Sequence, residues 1–331
     1  MPPRKKLEGT DVIEKLLNNG QLMRGDDERL VIHRIPTGLP DLDRILNGGI
    51  PRHRITIFVG QYSSGKSFLV QMFLKHCLEQ GLQVAYIDTE QTYDPEWWAQ
   101  IGLPLDKVLV SQPTIGEDGV DIAVALARAG VDVIAIDSLA ALVPHEEFET
   151  TEQTAEGKEG TGSRKKFIGL QARLISKLMR LLLAVKHNSA IVCVNQLRDA
   201  IGGPTPFEVM PGGMAQGFLM SLLIRTQRTG WIEENGKRVG FNIRMVCRKS
   251  KVGTPFGECE LPFLFRGEFD VLSLLIDRGI ESGLIEQKGP YYVFKFGENS
   301  GESILGRNTV IAKLTEDKEL QGHLQRALGE L

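Results

Sequence analysis

Short, mostly apolar runs alternate with helix-patterned segments along much of the chain. The runs are Arg54–Val59, Leu82–Asp88, Lys107–Ser111, Val131–Asp137 and Ser189–Asn195. Strands that are buried on both faces have this pattern, whereas half-exposed strands alternate apolar and polar residues. Residues 170–186 instead carry apolar side chains at helical spacing. The pattern therefore predicts an α/β fold, with a mostly parallel central sheet and helices on both of its faces.

The N-terminal residues predict a small arm ahead of this core. Residues 11–19 favour a short amphipathic helix, with Asp11 as its N-cap and Gly20 as its stop. The β-prone run Arg29–Ile35 follows. Such an arm packs either on a neighbouring subunit or on its own domain, and the pattern leaves both readings open.

Beyond the alternating segments the pattern changes twice. From about Leu219, consecutive β-rich segments separated by glycine turns predict an antiparallel extension of the sheet. Beyond about Phe269, a helix, a hairpin and a final helix predict a small α+β domain. The predicted divisions are an N-terminal oligomerisation arm (1–33), a core (34–268) and a C-terminal domain (269–331).

Composition narrows the class of protein. The 331 residues are 42% apolar and 24% charged, which is ordinary for a globular chain, and no apolar run approaches the roughly 18 residues of a membrane span. The first residues are charged without an apolar stretch after them, so we expect no signal peptide. Cys77, Cys193 and Cys247 lie in apolar segments, as is typical of core residues in a reduced, intracellular protein. The net charge is −3, so any nucleic-acid surface must be local.

One loop of the core carries a phosphate-binding pattern. Residues 60–67 match G-x-x-x-x-G-K-[ST], and they are Gly60, Gln61, Tyr62, Ser63, Ser64, Gly65, Lys66 and Ser67. A predicted strand enters the loop and a predicted helix leaves it, which disfavours a chance glycine-rich turn. Backbone N–H groups and the helix N-terminus would bind phosphate oxygens. Lys66 would reach the β- and γ-phosphates of ATP, and the Ser67 hydroxyl would bind Mg²⁺.

Polar residues follow three further predicted strands. Glu90 comes after the second strand, Asp137 ends the fourth, and Gln196 follows the fifth. Because ligands bind at the carboxyl ends of parallel strands, we expect these side chains beside the phosphate loop. Asp137 is then the predicted partner of Mg²⁺, and Glu90 is the predicted base for the attacking water. Gln196 is placed to sense the γ-phosphate, because its amide can both donate and accept hydrogen bonds.

Two polar segments, 145–168 and 199–213, are too long for simple connections. The first has an acidic half and a basic end, and the second is rich in glycine and proline. The basic residues that flank them are Arg164, Lys165, Lys166, Arg173, Arg180 and Arg198. Long loops edged by such residues suit a nucleic-acid backbone, and solvated mobile loops are the alternative.

Taken in order, many motifs of the chain resemble the bacterial RecA recombinase family over nearly its whole length. Besides the phosphate loop, the matching segments are 32–43, Tyr86–Glu90 with Asp94 and Pro95, Leu109–Pro113, Ile136–Pro144, Gly169–Arg173, Val194–Arg198, Gly212–Gly213, and Lys249–Lys251 with Pro255 and Phe256. The resemblance implies a RecA-like P-loop ATPase core between the arm and the small domain. It also implies an ATP- and Mg²⁺-dependent helical filament on single-stranded DNA, which pairs that DNA with a homologous duplex.

The resemblance further implies DNA and subunit contacts. The two long segments look like the family's two DNA-binding loops, and the expected DNA contacts then extend to Ser176, Gly212 and Gly213. Phe218 looks like the interface aromatic residue that follows the second loop.

The nucleotide site is completed by the same resemblance. Asp94 and Trp97 fall where the family contacts adenine, and Phe68 directly follows the phosphate loop. An indole face is well suited to stacking on a base. Lys249 and Lys251 fall where the family places lysines that reach the ATP of the neighbouring subunit. Residues at i and i+2 of a strand point to the same side, so the two lysines can act together. The alternative is that they belong to a solvated edge strand and have no role at ATP.

The chain also departs from the family pattern. The first loop is longer than expected and partly acidic, the acidic C-terminal tail is missing, and the N-terminal helix is abbreviated. Such a form is expected of a phage-encoded or otherwise divergent member. It would act in the cytoplasm of a bacterium or of an infected host, away from membranes, with single-strand-binding or mediator proteins as candidate partners.

Two rival functions stay open on the sequence. A ring-forming motor, such as a hexameric helicase, can use the same core. A non-catalytic ATP-binding protein that loads or regulates another recombinase is the second rival. The arm ahead of the core favours a filament, whereas Glu90 and both lysines favour catalysis.

Overall fold

The computed structural model describes residues 9–149, 164–199, 208–234 and 236–328. These residues belong to two compact units, one within Met1–His33 and one within Arg34–Leu331. In the ranges described, no helix has the length and apolar character needed to span a membrane.

The first unit is a helix followed by a capped turn. Helix α1 spans Gly9–Asn18, and Gly20 follows it with φ +72°, as expected of a helix stop. The helix begins before Asp11, so the prediction of Asp11 as its N-cap is wrong. After it, the Asp27 carboxylate accepts a hydrogen bond from a backbone N–H and caps a 3₁₀ turn over Glu28–Leu30, where a strand was predicted.

The second unit opens with a small antiparallel strand pair. Strand β1 is Arg34–Ile35 and strand β2 is Ile50–Pro51, with helix α2, Pro40–Ile45, between them. Only the last two residues of the β-prone run therefore form a strand, because only they have a pairing partner.

One large mixed sheet organises the rest of this unit. Its strands are β3 Arg54–Gly60, β4 Val84–Asp88, β5 Val108–Ser111, β6 Val133–Asp137, β7 Ala190–Gln196, β10 Leu222–Glu234, β11 Lys237–Ser250, β12 Glu258–Leu264 and β13 Glu268–Phe269. Among the described residues their order is β13-β12-β11-β10-β3-β7-β6-β4-β5. The strands from β10 to β5 in this order pair in parallel, and those from β10 to β13 pair antiparallel. The predicted antiparallel extension is thus confirmed.

Helices cover both faces of the parallel strands. They are α3 Lys66–Glu79, α4 Pro95–Gln100, α5 Gly116–Ala129 and α6 Arg164–Ala184. In β3, Phe58 packs into a core shared with α3, whereas Ile57 and Val59 pack into a second core shared with α5 and α6. Because both faces of β3, β4, β6 and β7 are buried, these strands are nearly continuous apolar runs in the sequence, whereas Leu109 and Val110 of the edge strand β5 are exposed. The predicted α/β architecture is confirmed.

Both long polar segments contain more regular structure than predicted. Residues 145–149 are helical and α6 begins at Arg164, so the segment 145–168 is not a loop throughout, and 150–163 lie outside the described residues. In the second segment, β8 Arg198–Asp199 pairs antiparallel with β9 Glu208–Val209, and 200–207 lie outside the described residues. A short helix, α7 Ala215–Leu219, follows.

Strands β10 and β11 determine where Lys249 lies, whereas Lys251 comes directly after the end of β11, so the prediction that both lysines are on one strand is wrong for Lys251. On β10, Arg225 lies opposite Val59, near the start of the phosphate loop. On β11, Lys249 lies opposite Leu223, which in turn lies opposite Ile57. Lys249 is thus level with a point roughly 10 Å before the end of β3, at about 3.3 Å per residue.

The C-terminal part of the second unit has an apolar cluster of its own. Its elements are α8 Val271–Glu281, β14 Ile285–Lys288, β15 Tyr291–Phe294, β16 Ser303–Leu305, α9 Arg307–Glu316 and α10 Lys318–Ala327. The strands form an antiparallel sheet, and Leu275, Phe294 and Leu324 pack in the cluster. This part has the α+β composition that was predicted, and the boundaries of the three predicted divisions stay predictions.

Candidate nucleotide and DNA site

Four strand ends meet at one edge of the central sheet. Strands β3, β7, β6 and β4 are neighbours in that order, and they run parallel. The phosphate loop leaves β3, Gln196 ends β7, Asp137 ends β6, and Glu90 follows β4. The structure therefore brings these predicted groups together, while their chemical roles stay predictions.

Close packing holds the phosphate loop in its shape. Gly65 has φ +82°, and a Cβ there would overlap Ile243 of β11. A Cβ on Gly60 would overlap the backbone carbonyl of Thr226. The buried Ser64 hydroxyl lies 2.8 Å from the Thr226 hydroxyl. Both glycines are thus needed for the course of the loop as well as for the approach of a phosphate. The exposed loop residues are Gln61, Tyr62 and Ser63.

Lys66 begins α3 and directs its ammonium group at the loop. The side chain is 8% exposed, and Nζ donates to the carbonyl oxygens of Gly60 at 3.1 Å and Gln61 at 2.7 Å. Burial lowers the pKa of Lys66, and the charges of Asp137 and Glu90 oppose that shift. A cation at a helix N-terminus, within a ring of backbone groups, is suited to attract phosphate.

The Asp137 carboxyl group is buried and only partly hydrogen-bonded. Tyr86 Oη donates to Asp137 Oδ2 at 3.0 Å, while Oδ1 is buried and has no hydrogen-bond partner of normal geometry in the described part of the chain. Burial raises the pKa of Asp137 to about 6, and the hydroxyls of Ser67 and Tyr86 oppose that shift. A buried carboxylate oxygen needs a partner, and nucleotide-bound Mg²⁺ takes one or two carboxylates besides phosphate oxygens. Ser67 and Asp137 therefore fit this ion.

Glu90 and Gln196 are in direct contact. Glu90 Oε1 accepts hydrogen bonds from Ser138 Oγ at 2.6 Å and from Gln196 Nε2 at 3.2 Å. Buried Asp88 fixes the turn that carries Glu90, since its carboxylate accepts from the backbone N–H groups of Glu90 at 3.2 Å and Tyr93 at 2.8 Å. The candidate base and the candidate phosphate sensor thus belong to one hydrogen-bonded group.

The candidate adenine contacts lie at the start of α4. The Asp94 side chain accepts a hydrogen bond from the backbone N–H of Glu96 at 2.9 Å and caps the helix. Trp97 is half-buried, its Nε1 donates to Gln71 at 3.1 Å, and its ring lies 6.3 Å from the ring of Phe68. The Phe68 side chain is in the core, so only its backbone is free to contact a nucleotide.

The second predicted DNA loop is tied to the end of β7 and to α6. Buried Asn195 donates to the carbonyl of Pro211 and to the side chain of Gln216, both at 3.0 Å. Gly212 and Gly213 have φ +97° and +78°, and a Cβ on either would press against side chains of α6. The identity of these glycines is explained by packing, and their DNA contact stays a prediction.

Basic residues on α6 and β8 are exposed. Arg173 and Arg180 are exposed, and Arg180 Nε donates to the Ser176 carbonyl at 3.2 Å. Positions 173, 176 and 180 share one side of the helix. Arg198 is exposed on β8. The side chains of Arg164, Lys165 and Lys166 lie outside the described residues, and all of these DNA contacts stay predictions.

Lys249 and Lys251 both meet α7, the helix that follows the second loop. Lys249 Nζ donates to the Gly217 carbonyl, and Lys251 Nζ donates to the Phe218 carbonyl. Burial lowers the pKa of Lys249, and the neighbouring charge of Lys251 lowers it further. The Phe218 side chain is 73% exposed. The two lysines thus lie against one element, well before the strand end that carries the phosphate loop.

Several residues at this edge had no role assigned from the sequence. They are Tyr86, Asp88, Ser138, Gln216 and Thr226. Each is buried, and each bonds to a group distant in sequence or to a loop backbone. The available signal was a polar atom within or directly after an apolar run, which alone does not identify its partner.

The family model and the individual proteins that this chain matches all belong to one family. A family model described as the RecA N-terminal domain matches residues 6–269. A "Protein RecA" of Thioalkalivibrio sulfidiphilus is 34% identical over 328 residues, which cover 96% of this chain and 90% of that protein. A "Protein RecA" of Acidothermus cellulolyticus is 35% identical over 325 residues, covering 96% and 90%. A "Protein RecA" of Thermus aquaticus is 36% identical over 307 residues, covering 89% and 86%.

Proposed function

The chain belongs to the RecA family, and we propose that it is an ATP-dependent homologous recombinase. In this proposal it forms helical filaments on single-stranded DNA, pairs that DNA with a homologous duplex and exchanges the strands. DNA stimulates its hydrolysis of ATP. The main support for this proposal is that the phosphate loop lies beside Asp137, Glu90 and Gln196 at one edge of the sheet.

The proposed chemistry is divided among the residues of that edge. Loop N–H groups and Lys66 hold the phosphates, and Ser67 and Asp137 hold Mg²⁺. When bound, the ion neutralises charge on the phosphate oxygens. Glu90 orients and deprotonates the attacking water, as expected of a carboxylate base. Its hydrogen bond with Gln196 supports a link between this base and the sensor of the γ-phosphate.

In this proposal Gln196 couples the nucleotide to DNA. It ends β7, and its neighbour Asn195 bonds to Pro211 and Gln216 on the far side of the second loop. The chain enters that loop directly after Gln196. A shift of Gln196 on loss of the γ-phosphate would therefore displace both ends of the second loop, and the affinity for DNA would fall.

A neighbouring subunit completes the proposed site. Because Lys249 lies roughly 10 Å before the end of β3, it is poorly placed for its own phosphate loop. Together with Lys251 it would instead stabilise charge on the γ-phosphate of the next subunit, an effect worth about 10³–10⁵ in rate. Exposed apolar side chains such as Leu109, Val110 and Phe218 are available for contact with a neighbouring subunit in this proposal.

Negative-stain electron microscopy tests this proposal. The protein is imaged with single-stranded DNA and a non-hydrolysable ATP analogue, beside a nucleotide-free control. We expect long helical filaments that extend with nucleotide. Closed rings would instead support a ring-forming motor, and isolated particles would support a loader or regulator.

A further inference from the structure

Tyr86 links two neighbouring strands beneath the nucleotide edge. It lies in the middle of β4 and is 2% exposed. On β6 it lies opposite Ala135, a small residue. Asp137 is two residues further along β6, on the same face, and Tyr86 Oη donates to its Oδ2 at 3.0 Å. The hydroxyl thus reaches the carboxyl group that fits Mg²⁺.

Aromatic packing fixes the ring of Tyr86. Trp98 of α4 is 1% exposed and meets the ring edge-on, with centroids 4.8 Å apart and planes at 65°. Tyr93 also packs on Trp98, with centroids 4.9 Å apart. Because the ring is held on the side of α4, the position of its hydroxyl is set independently of Asp137.

The hydroxyl determines how the Asp137 carboxyl group is presented. One oxygen, Oδ2, accepts a hydrogen bond from Tyr86, and the other, Oδ1, is buried and has no hydrogen-bond partner of normal geometry among the residues described. A hydrogen bond to one oxygen restricts rotation of the group about its Cβ–Cγ bond, so the second oxygen is held in a narrower range of positions. Hydrogen-bond partners of metal ligands generally orient those ligands in this way.

We propose that Tyr86 is a positioning residue, whose hydroxyl orients Asp137 toward Mg²⁺ bound with the nucleotide. This inference rests on the proposed function, because it requires Asp137 to bind that ion. Tyr86 itself touches neither the ion nor the nucleotide. Its removal should therefore weaken the contribution of Mg²⁺ to nucleotide binding and leave metal-free binding unchanged.

The test compares two tyrosines that pack on the same tryptophan. Tyr86→Phe removes the hydroxyl that bonds to Asp137. Tyr93→Phe removes the hydroxyl of a second tyrosine, whose ring centroid lies at nearly the same distance from that of Trp98. Binding of a non-hydrolysable ATP analogue to the full chain is measured by calorimetry, with Mg²⁺ and with EDTA. The ratio of the two affinities gives the contribution of the ion without any turnover.

We expect Tyr86→Phe to lower this ratio roughly tenfold, as for other partners of metal ligands, and Tyr93→Phe to keep the wild-type ratio. The affinity in EDTA should be equal in all three proteins. A wild-type ratio in Tyr86→Phe overturns the inference and leaves Mg²⁺–ATP binding intact. Equal losses in both variants, or weaker binding of Tyr86→Phe in EDTA, would assign Tyr86 to packing and also overturn it. A wild-type protein that shows no Mg²⁺ dependence contradicts the proposed function, and the inference with it.

Discussion

Single residues in this molecule acquire their roles from partners on other strands. Glu90 and Gln196 are 106 positions apart and share a hydrogen bond, and Tyr86 and Asp137 are 51 positions apart and share another. Each pair forms because β4, β6 and β7 end at the same edge. The loss of one partner should therefore affect a specific step rather than the whole fold.

Gln196→Ala should separate nucleotide binding from DNA coupling. The substitution removes the amide that bonds to Glu90 and leaves the phosphate loop unchanged. We expect ATP affinity close to that of the wild type, and a nucleotide effect on DNA affinity of less than about twofold. Fluorescence anisotropy of a labelled single strand, with and without an ATP analogue, measures this effect.

Gln227→Ala, an exposed glutamine on β10, is the matched control for Gln196→Ala and should keep the full nucleotide effect. If Gln196→Ala still binds DNA more tightly with the analogue, Gln196 does not couple the two sites.

At the residue scale, the sequence could predict what a local motif specifies. The phosphate-loop pattern and the ends of apolar runs predicted that Lys66, Ser67, Glu90 and Asp137 lie at one edge of the sheet, and the structure places them there, while their roles stay predictions. Tyr86 was missed because its partner is on another strand, and the sequence pattern does not show strand order. Asp11 was wrongly assigned as a cap, because Asp is favoured both at the N-cap and within the first turn of a helix.

At the scale of elements, apolar runs predicted β3, β4, β5, β6 and β7, whereas β10, which also pairs in parallel, was expected in the antiparallel extension. Burial on both faces gives β3, β4, β6 and β7 a strong signal in the sequence. The run from Arg29 was not a strand over most of its length, since β-propensity has an effect only where a partner strand exists. The helical ends of 145–168 were missed because that polar segment has no apolar periodicity.

Phe218→Ala should impair assembly without affecting the fold. The side chain is 73% exposed on α7, so its removal should change the free energy of unfolding by less than about 0.5 kcal/mol. If Phe218 fills a site on the next subunit, filaments on DNA should become short or absent at concentrations where the wild type assembles. Light scattering and electron microscopy measure assembly, and urea unfolding measures stability.

Tyr291→Ala removes an exposed aromatic residue from β15 and serves as the control for Phe218→Ala. Normal filaments from Phe218→Ala would contradict the proposed interface.

The contact between the turn before β3 and the segment before β7 should make stability depend on pH. The rings of His53 and His187 have centroids 4.7 Å apart. Ser189 N–H donates to His187 Nδ1 at 3.0 Å, so the proton of the neutral ring is on Nε2, which donates to the Leu182 carbonyl at 2.7 Å. Burial is the main cause that lowers the pKa of both histidines.

A lowered pKa means that the folded state binds protons less readily than the unfolded chain. The contribution of these histidines to stability is therefore complete above about pH 6.5, and it is lost as pH falls from there through the folded-state pKa. Urea unfolding across this range measures it. His53→Gln removes one of the two histidines and should therefore reduce the slope of the unfolding free energy against pH. An unchanged slope would contradict the assignment of this pH dependence to His53 and His187.

At the scale of the whole molecule, the proposed role of the lysines requires an assembly of several subunits. Their sequence motif implied a role at a neighbouring ATP, but the sequence alone could not show how far they lie from their own phosphate loop. The strand register supplies that distance, because Lys249 is level with Ile57 rather than with Gly60. In the proposed site, a neighbouring subunit would therefore supply the lysines that stabilise charge on the γ-phosphate.

The sharing of one ATP site between two subunits predicts that Lys249→Ala alone abolishes DNA-stimulated hydrolysis and leaves nucleotide binding nearly intact. Lys237→Ala, on the same strand and exposed, is the control and should keep the wild-type rate. Glu90→Gln should also be inactive, because it lacks the base.

Mixing Lys249→Ala with Glu90→Gln in equal amounts on single-stranded DNA tests this sharing most directly. In a mixed filament, about a quarter of the interfaces would combine the intact Glu90 of one variant with the intact lysines of the other, given head-to-tail contacts. We predict that the mixture recovers ATP hydrolysis to about a quarter of the wild-type rate, although each variant alone is inactive. No recovery on mixing, or wild-type turnover by Lys249→Ala alone, would contradict a site shared between subunits.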